Sequence, residues 1–225
     1  MKLNSDTLPF FDELVRNNNK SWFEANRARW DAIRKDFVAF TAALLDKMVE
    51  LDHSLAGAVA SQCVYRINRD IRFSQDKTPY KDHISFFLPS GGMKRCGVAG
   101  YYLGIRRNDC NLGGGIFMPE PRDLQAIRQE IFYNHEEFLR ILNDKTYRHW
   151  YNGTLWDYGK LKTAPKGYPK DWEHIDLLRY KHYVSMHVFD DSLATSPDLF
   201  DYVFEAFRAS VPLNRFVLQA MDNPQ

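Results

Sequence analysis

Between Ser21 and Leu51 the apolar residues Trp30, Ile33, Phe37, Phe40, Leu44, Met48 and Leu51 recur at steps of three and four. This continuous stripe predicts a long amphipathic helix with an aromatic face in the core. A shorter helix precedes it: Thr7-Leu8-Pro9 offers a cap with proline in the first turn, Phe10, Phe11, Leu14 and Val15 follow at helical spacing, and Asn17-Asn18-Asn19 interrupts. From about Cys63 to Phe117 the period changes to two. Extended segments are predicted over residues 64–73, 84–88, 98–105 and 112–117, with turns at Ser90-Gly91-Gly92 and Arg107-Asn108-Asp109, the latter joining the last two as an antiparallel hairpin. Pro119 and Pro121 introduce a helix carrying Leu124, Ile127 and Ile131, and residues 136–142 continue as another after a break near Asn134-His135.

Residues 145–172 set Trp150, Tyr151, Trp156, Tyr158, Tyr168 and Trp172 among Gly, Pro and Lys. This predicts a long ordered loop anchored by its aromatics, a composition that also lines binding clefts. Strand character returns over residues 183–189, Ser196-Pro197-Asp198 caps a helix with Leu199, Val203 and Phe207, and Pro212 is expected to start a last short helix. No linker, low-complexity tract or repeat separates these pieces. The expected fold class is α+β: a single domain over residues 1–225 with a central antiparallel sheet of about five strands, packed by N-terminal and C-terminal helices.

Composition agrees with a packed core, since 44% of the 225 residues are hydrophobic and 15% aromatic. A formal charge of only +1 argues against nucleic acid and anionic membranes as partners. No run approaches the length of a membrane-spanning helix, and the opening Met-Lys-Leu-Asn-Ser-Asp lacks the apolar core of a secretion signal. Cys63, Cys96 and Cys110 form no paired-spacing motif and are read as free buried thiols of a cytoplasmic protein.

Charge is unevenly spread. Residues 66–81 carry five Lys/Arg against two Asp and residues 160–181 carry six against three acids, whereas residues 187–207 carry five acids and no Lys or Arg. If residues 64–73 are extended, Tyr65, Ile67, Arg69, Ile71 and Phe73 share one face, which places a guanidinium among four large apolar neighbours. Arg cannot escape burial by losing its proton, so a carboxylate, a bound anion or ordered water has to meet it. Two arrangements remain open. Arg69 and Arg72 grip an anion through paired N–H donors, with charge added by Lys77 and Lys81 on a turn at Asp76-Lys77-Thr78-Pro79; or Asp70, Asp76 and acids of the first helices neutralise the same cations internally.

The run Arg69-Asp70-Ile71-Arg72-Phe73-Ser74-Gln75-Asp76-Lys77-Thr78-Pro79-Tyr80-Lys81, with Asn18-Asn19-Lys20-Ser21-Trp22-Phe23 and Asn26-Arg27 upstream, resembles the bacterial and fungal family DUF2461, a domain of unknown function. Gly100-Tyr101-Tyr102, Gly113-Gly114-Gly115, Leu161-Lys162, Pro165-Lys166-Gly167-Tyr168 and Leu178-Arg179-Tyr180-Lys181 extend the resemblance over nearly the whole chain. It implies a single α+β domain and brings no reaction, ligand or catalytic residue with it.

The residues themselves favour binding of a phosphate- or carboxylate-bearing small molecule in a basic cleft. In this reading Arg69, Arg72, Lys77 and Lys81 hold the anion, Tyr80 or Tyr168 contacts an apolar part of the ligand, and Lys166 and Arg179 close over the same site. An enzyme acting on such a ligand is the alternative, with Asp70 or Asp76 as candidate general bases; a scaffold with a purely structural Arg/Asp network is a third. Other chemistry has little footing. Gly113-Gly114-Gly115 lacks both the P-loop ending and the dinucleotide spacing and reads as a bulge or close strand approach, and no cofactor is indicated. The seven His residues supply no His-Glu-x-x-His pair, so no metal site is expected. No Gly-x-Ser-x-Gly elbow is present.

Overall fold

The computed structural model describes residues 1–92 and 97–222. Helices α1 (Thr7–Arg16), α2 (Lys20–Ala25) and α3 (Arg27–Leu51) open the chain, and a 3-10 turn (His53–Leu55) and α4 (Ala60–Cys63) follow. Strands β1 (His83–Pro89), β2 (Ala99–Arg106) and β3 (Cys110–Ile116) come next, then helices α5 (Pro121–Tyr133), α6 (His135–Asn143), α7 (Lys145–Tyr151) and α8 (Ile175–Leu178). Strand β4 (Tyr183–Phe189), the short helix α9 (Asp191–Ala194) and the long helix α10 (Leu199–Asp222) complete it. The four strands form one antiparallel sheet in the order β1-β2-β3-β4. The architecture is α+β, with four described strands where about five were expected.

Contacts divide the chain into two compact units. The first comprises Met1–Lys94, Tyr102–Leu112 and Val188–Glu205. Its core follows the predicted stripe, with Trp30, Ile33, Phe37, Phe40, Leu44 and Met48 buried along α3. Phe10 and Phe11 of α1 pack on Trp30 at ring distances of 6.0 and 6.1 Å, and Phe37 meets Phe86 of β1 at 5.6 Å. The single predicted helix is broken at Asn26, which caps α2 and leads into α3; its side chain donates to the Trp22 carbonyl (2.9 Å), the same carbonyl that accepts its backbone N–H (3.1 Å).

The second unit comprises Arg95–Tyr101, Gly113–His187 and Ala206–Gln225. Its interior is built on tyrosines whose hydroxyls find partners, as burial of a phenol requires. Tyr151 donates to the Ala206 carbonyl (2.8 Å), Tyr183 to the Leu177 carbonyl (3.0 Å), and Tyr147 bonds Ser185. The triple glycine is explained by close approach: a Cβ on Gly113 would press into the Ser185 carbonyl oxygen, and one on Gly114 into the Ser210 hydroxyl.

Three expectations are corrected. Residues 145–151, assigned to a loop, form α7, because Asp144 caps it through the amides of Thr146 and Tyr147 (2.9 and 3.1 Å). Pro212 starts no helix but lies inside α10, at the cost of one missing amide donor that the continuous burial of Ala209, Val211, Leu213 and Val217 offsets. Residues 64–73 are not a ladder strand. They make only the isolated bridges Val64 with Phe86 and Asn68 with Tyr80, and beyond Arg69 the returning chain offers no further row of partners. Cys63 and Cys110 are both buried, while Cys96 lies outside the described residues.

Candidate functional site

In the first unit residues 64–69 run beside 79–86, held by Tyr65 N–H to Ser85 (2.9 Å), Lys81 N–H to Ile67 (2.8 Å) and Arg69 N–H to Pro79 (2.9 Å). Asn18 clamps the return, its amide donating to the Tyr80 carbonyl (3.0 Å) and accepting from the Tyr80 amide (3.1 Å), and the buried Tyr80 ring stacks on Phe23 at 4.2 Å. Tyr80 is therefore a packing residue. Residues 70–78 close into a loop whose cations meet its own acids. Arg69 donates to Asp76 and to the Thr78 hydroxyl, and Arg72 grips Asp70 through two bonds (2.7 and 3.0 Å).

These bonds set the acidities. The Thr78 amide, then Arg69 and the Thr78 hydroxyl, hold Asp76 at about 2, and Arg72 holds Asp70 at about 2. Lys77 donates to the Ile71 carbonyl (3.0 Å). Lys81 lies over the Tyr65 ring at 5.1 Å; burial and the neighbouring Arg66 push its pKa down. Phe73, expected on the buried face with Arg69, is 95% exposed at the end of this loop, with the Arg72 guanidinium over its ring. The strand reading misplaced it because alternation was carried past the last paired residue.

A cleft of about 370 Å³ in the same unit is lined by Phe11, Asp12, Val15, Arg16, Asp82, Arg106, Arg107 and Asp109. Its charges also close on one another: Arg106 with Asp82 (2.6 Å) and Asp109 (3.3 Å), Arg107 with Asp12 (2.5 Å) and with Asp191 (3.1 Å). No residue of this cleft was singled out from the sequence. Arg-Asp pairs 24 to 95 positions apart carry no local signature.

Of the predicted site residues, Arg69, Arg72, Lys77, Tyr80 and Lys81 belong to the first unit and Lys166, Tyr168 and Arg179 to the second, so they are two groups. In the second unit the sequence missed the central residue. Arg128, on α5, is only 9% exposed, and no carboxylate lies within ion-pair distance of it among the described residues. Its guanidinium donates to the Tyr180 carbonyl (3.0 Å) and reaches the Tyr183 hydroxyl, yet its Nε is buried with no partner. Arg179 pairs with Asp176 (2.6 Å), but its Nε is likewise buried and unbonded. Tyr168 accepts from Gln125, one turn before Arg128 on α5 (3.2 Å), and burial pushes its pKa up against the pull of Arg128. Lys166 is exposed on the loop before Gly167.

A family model described as a conserved hypothetical protein (DUF2461) matches residues 6–216. The chain belongs to this family. Comparison with curated proteins and with solved structures returns no match. The segments through which the sequence resembles DUF2461 divide by role in this chain. Asn18, Phe23, Arg69, Asp76 and Tyr80 build the clamped loop of the first unit, whereas in the second the Tyr180 carbonyl receives the Arg128 guanidinium, Tyr168 feels its charge, and Arg179 pairs with Asp176. Among the described residues of this DUF2461 chain no group of three or more His, Cys, Asp or Glu could hold a metal ion, and no helix is long and apolar enough to cross a membrane.

Proposed function

We propose that the protein binds a small molecule through a phosphate or carboxylate group, met in the second unit by Arg128 together with Tyr168 and Arg179 rather than by the loop of residues 70–78. One observation carries this reading: a guanidinium nine-tenths buried, with no carboxylate at ion-pair distance among the described residues and a buried Nε left unbonded. A charge that cannot be titrated away and has no counter-ion costs several kcal/mol to bury, so an arriving anion gains what the fold leaves unmet. Arg forks suit phosphate and carboxylate for the same reason.

For residues 66–81 the structural alternative is favoured, because Arg69 and Arg72 already hold Asp76 and Asp70. Catalysis by these acids is disfavoured: with pKa values of about 2 they are weak general bases at neutral pH.

The test is the thermal midpoint in inorganic phosphate against chloride at equal ionic strength. A ligand at about one hundred times its Kd stabilises by about 2.7 kcal/mol, a rise of about 5–11 °C for a chain of this size. Arg128→Met should abolish the rise and Arg72→Ala should keep it. A rise that survives Arg128→Met, or disappears in Arg72→Ala, rejects the assignment.

A further inference from the structure

In the same unit as Arg128 stands an aromatic surface that anion binding alone leaves unused. The rings of Phe117 and His182 lie 4.5 Å apart, and those of Trp156 and Tyr158 4.9 Å apart with planes only 19° from parallel. Tyr158 also faces His182 at 5.8 Å. The cluster is ordered from below, since the Met118 amide donates to His182 Nδ1 (3.0 Å), and burial followed by the charge of Lys181 lowers the pKa of that imidazole. From above it is open. Trp156 is 40% and Tyr158 57% exposed, so a stacked aromatic pair is partly presented to water where a surface ordinarily carries polar groups.

The backbone ties this platform to the guanidinium. Trp156 N–H donates to the Val184 carbonyl and Leu161 N–H to the Arg179 carbonyl, both at 2.8 Å, so the two ends of residues 156–161 are tied beside 179–184. Between those ties the Tyr158 ring faces His182, and the Lys160 ammonium lies over the Tyr180 ring at 4.2 Å. Tyr180 is also the residue whose carbonyl receives Arg128. His182 is two positions beyond Tyr180, a chain length of at most about 7 Å.

We propose that this surface takes a nucleoside phosphate, the base stacked on Trp156 and Tyr158 and the phosphate met by Lys160 and Arg128. The assignment rests on the anion reading above and adds the ligand class. A flat π-system with an anionic tail engages both halves of the surface. Inorganic phosphate would leave the platform idle, and an uncharged sugar would leave Arg128 unmet. Base stacking on exposed aromatics adds affinity without selecting one base, so weak discrimination among bases is expected.

Calorimetric titration of the full chain with the four common nucleoside monophosphates and with ribose 5-phosphate tests this. At least one nucleotide should bind about tenfold or more tighter than ribose 5-phosphate. Trp156→Ala with Tyr158→Ala should equalise them while leaving the ribose 5-phosphate affinity in place, and quenching of tryptophan emission by nucleotide should be lost in Trp156→Phe. Arg128→Met should weaken both classes. Equal affinities in the native protein overturn the nucleoside assignment and leave the anion site standing. If neither class binds a protein with native circular dichroism, the anion site itself is wrong.

Discussion

The unmet charge of Arg128 makes a prediction opposite to the usual one for a buried arginine. Removing one member of a buried ion pair costs about 3–5 kcal/mol, because the other charge is stranded. Arg128 has no such partner. In Arg128→Met the protein loses the bond to the Tyr180 carbonyl, worth about 1.5–3 kcal/mol for a charged donor, and the contact with Tyr183. It also escapes the burial penalty of an unneutralised guanidinium, several kcal/mol in magnitude, while methionine fills most of the same volume with apolar atoms. The two changes oppose each other, so the net effect on the ligand-free protein should lie between about 1 kcal/mol of destabilisation and 2 kcal/mol of stabilisation. Urea unfolding at neutral pH in a chloride buffer free of multivalent anions measures it, with an unchanged m-value as the sign that the unfolding reaction is the same. Arg29→Met is the contrasting case. Arg29 holds Asp6 and Glu13 through paired bonds of 2.8 and 3.0 Å, and its removal should lower the midpoint. A loss of more than about 3 kcal/mol in Arg128→Met would refute the reasoning, since it would mean that the guanidinium is worth as much as a member of a buried ion pair.

Other expectations are independent of ligand. Gly113→Ala should cost about 3 kcal/mol or more, because the added methyl meets a backbone carbonyl that cannot move without opening the β3 to β4 pairing; a native urea midpoint in this variant would show that the strands do not need the glycine. Asp70 and Asp76 have folded pKa values below their unfolded value, so their contribution to loop order is complete above about pH 4 and is lost as pH falls through about 2. Carboxyl carbon shifts followed by NMR should show that step, and titration of Asp76 near 3.8 would mean that the Thr78 and Arg69 contacts are absent in solution. Burial raises the Cys110 thiol to about 11, so peptide-resolved alkylation at neutral pH should leave Cys110 largely unmodified; rapid labelling of the folded protein would contradict its placement.

Much of the architecture was legible residue by residue. The α3 stripe was found because burial on one face imposes a period that survives in a single sequence, whereas the strands, three of them buried almost continuously, were found as apolar runs bounded by turn residues. Period alone failed where local chemistry took over. Asp144 starts a helix inside a stretch that composition assigned to loop, and the packing of α10 carries it past Pro212. Phe73 went astray for a related reason: alternation extends a strand on paper, but only a paired neighbour extends it in space.

The candidate site divides along the same line. By itself the sequence determined that cations concentrate in residues 66–81 and 160–181, that an arginine near an apolar face needs a negative partner, and that aromatics crowd residues 145–172. Which arginine lacks that partner was decided only by the tertiary structure. Arg69 finds Asp76 seven residues away, an encounter short enough to be foreseen, whereas Arg128 sits in an ordinary amphipathic helix and is buried against a carbonyl 52 residues distant. Charge and hydropathy are properties of residues and can be read in order. Desolvation and pairing are properties of neighbourhoods, and those exist only once the chain has folded.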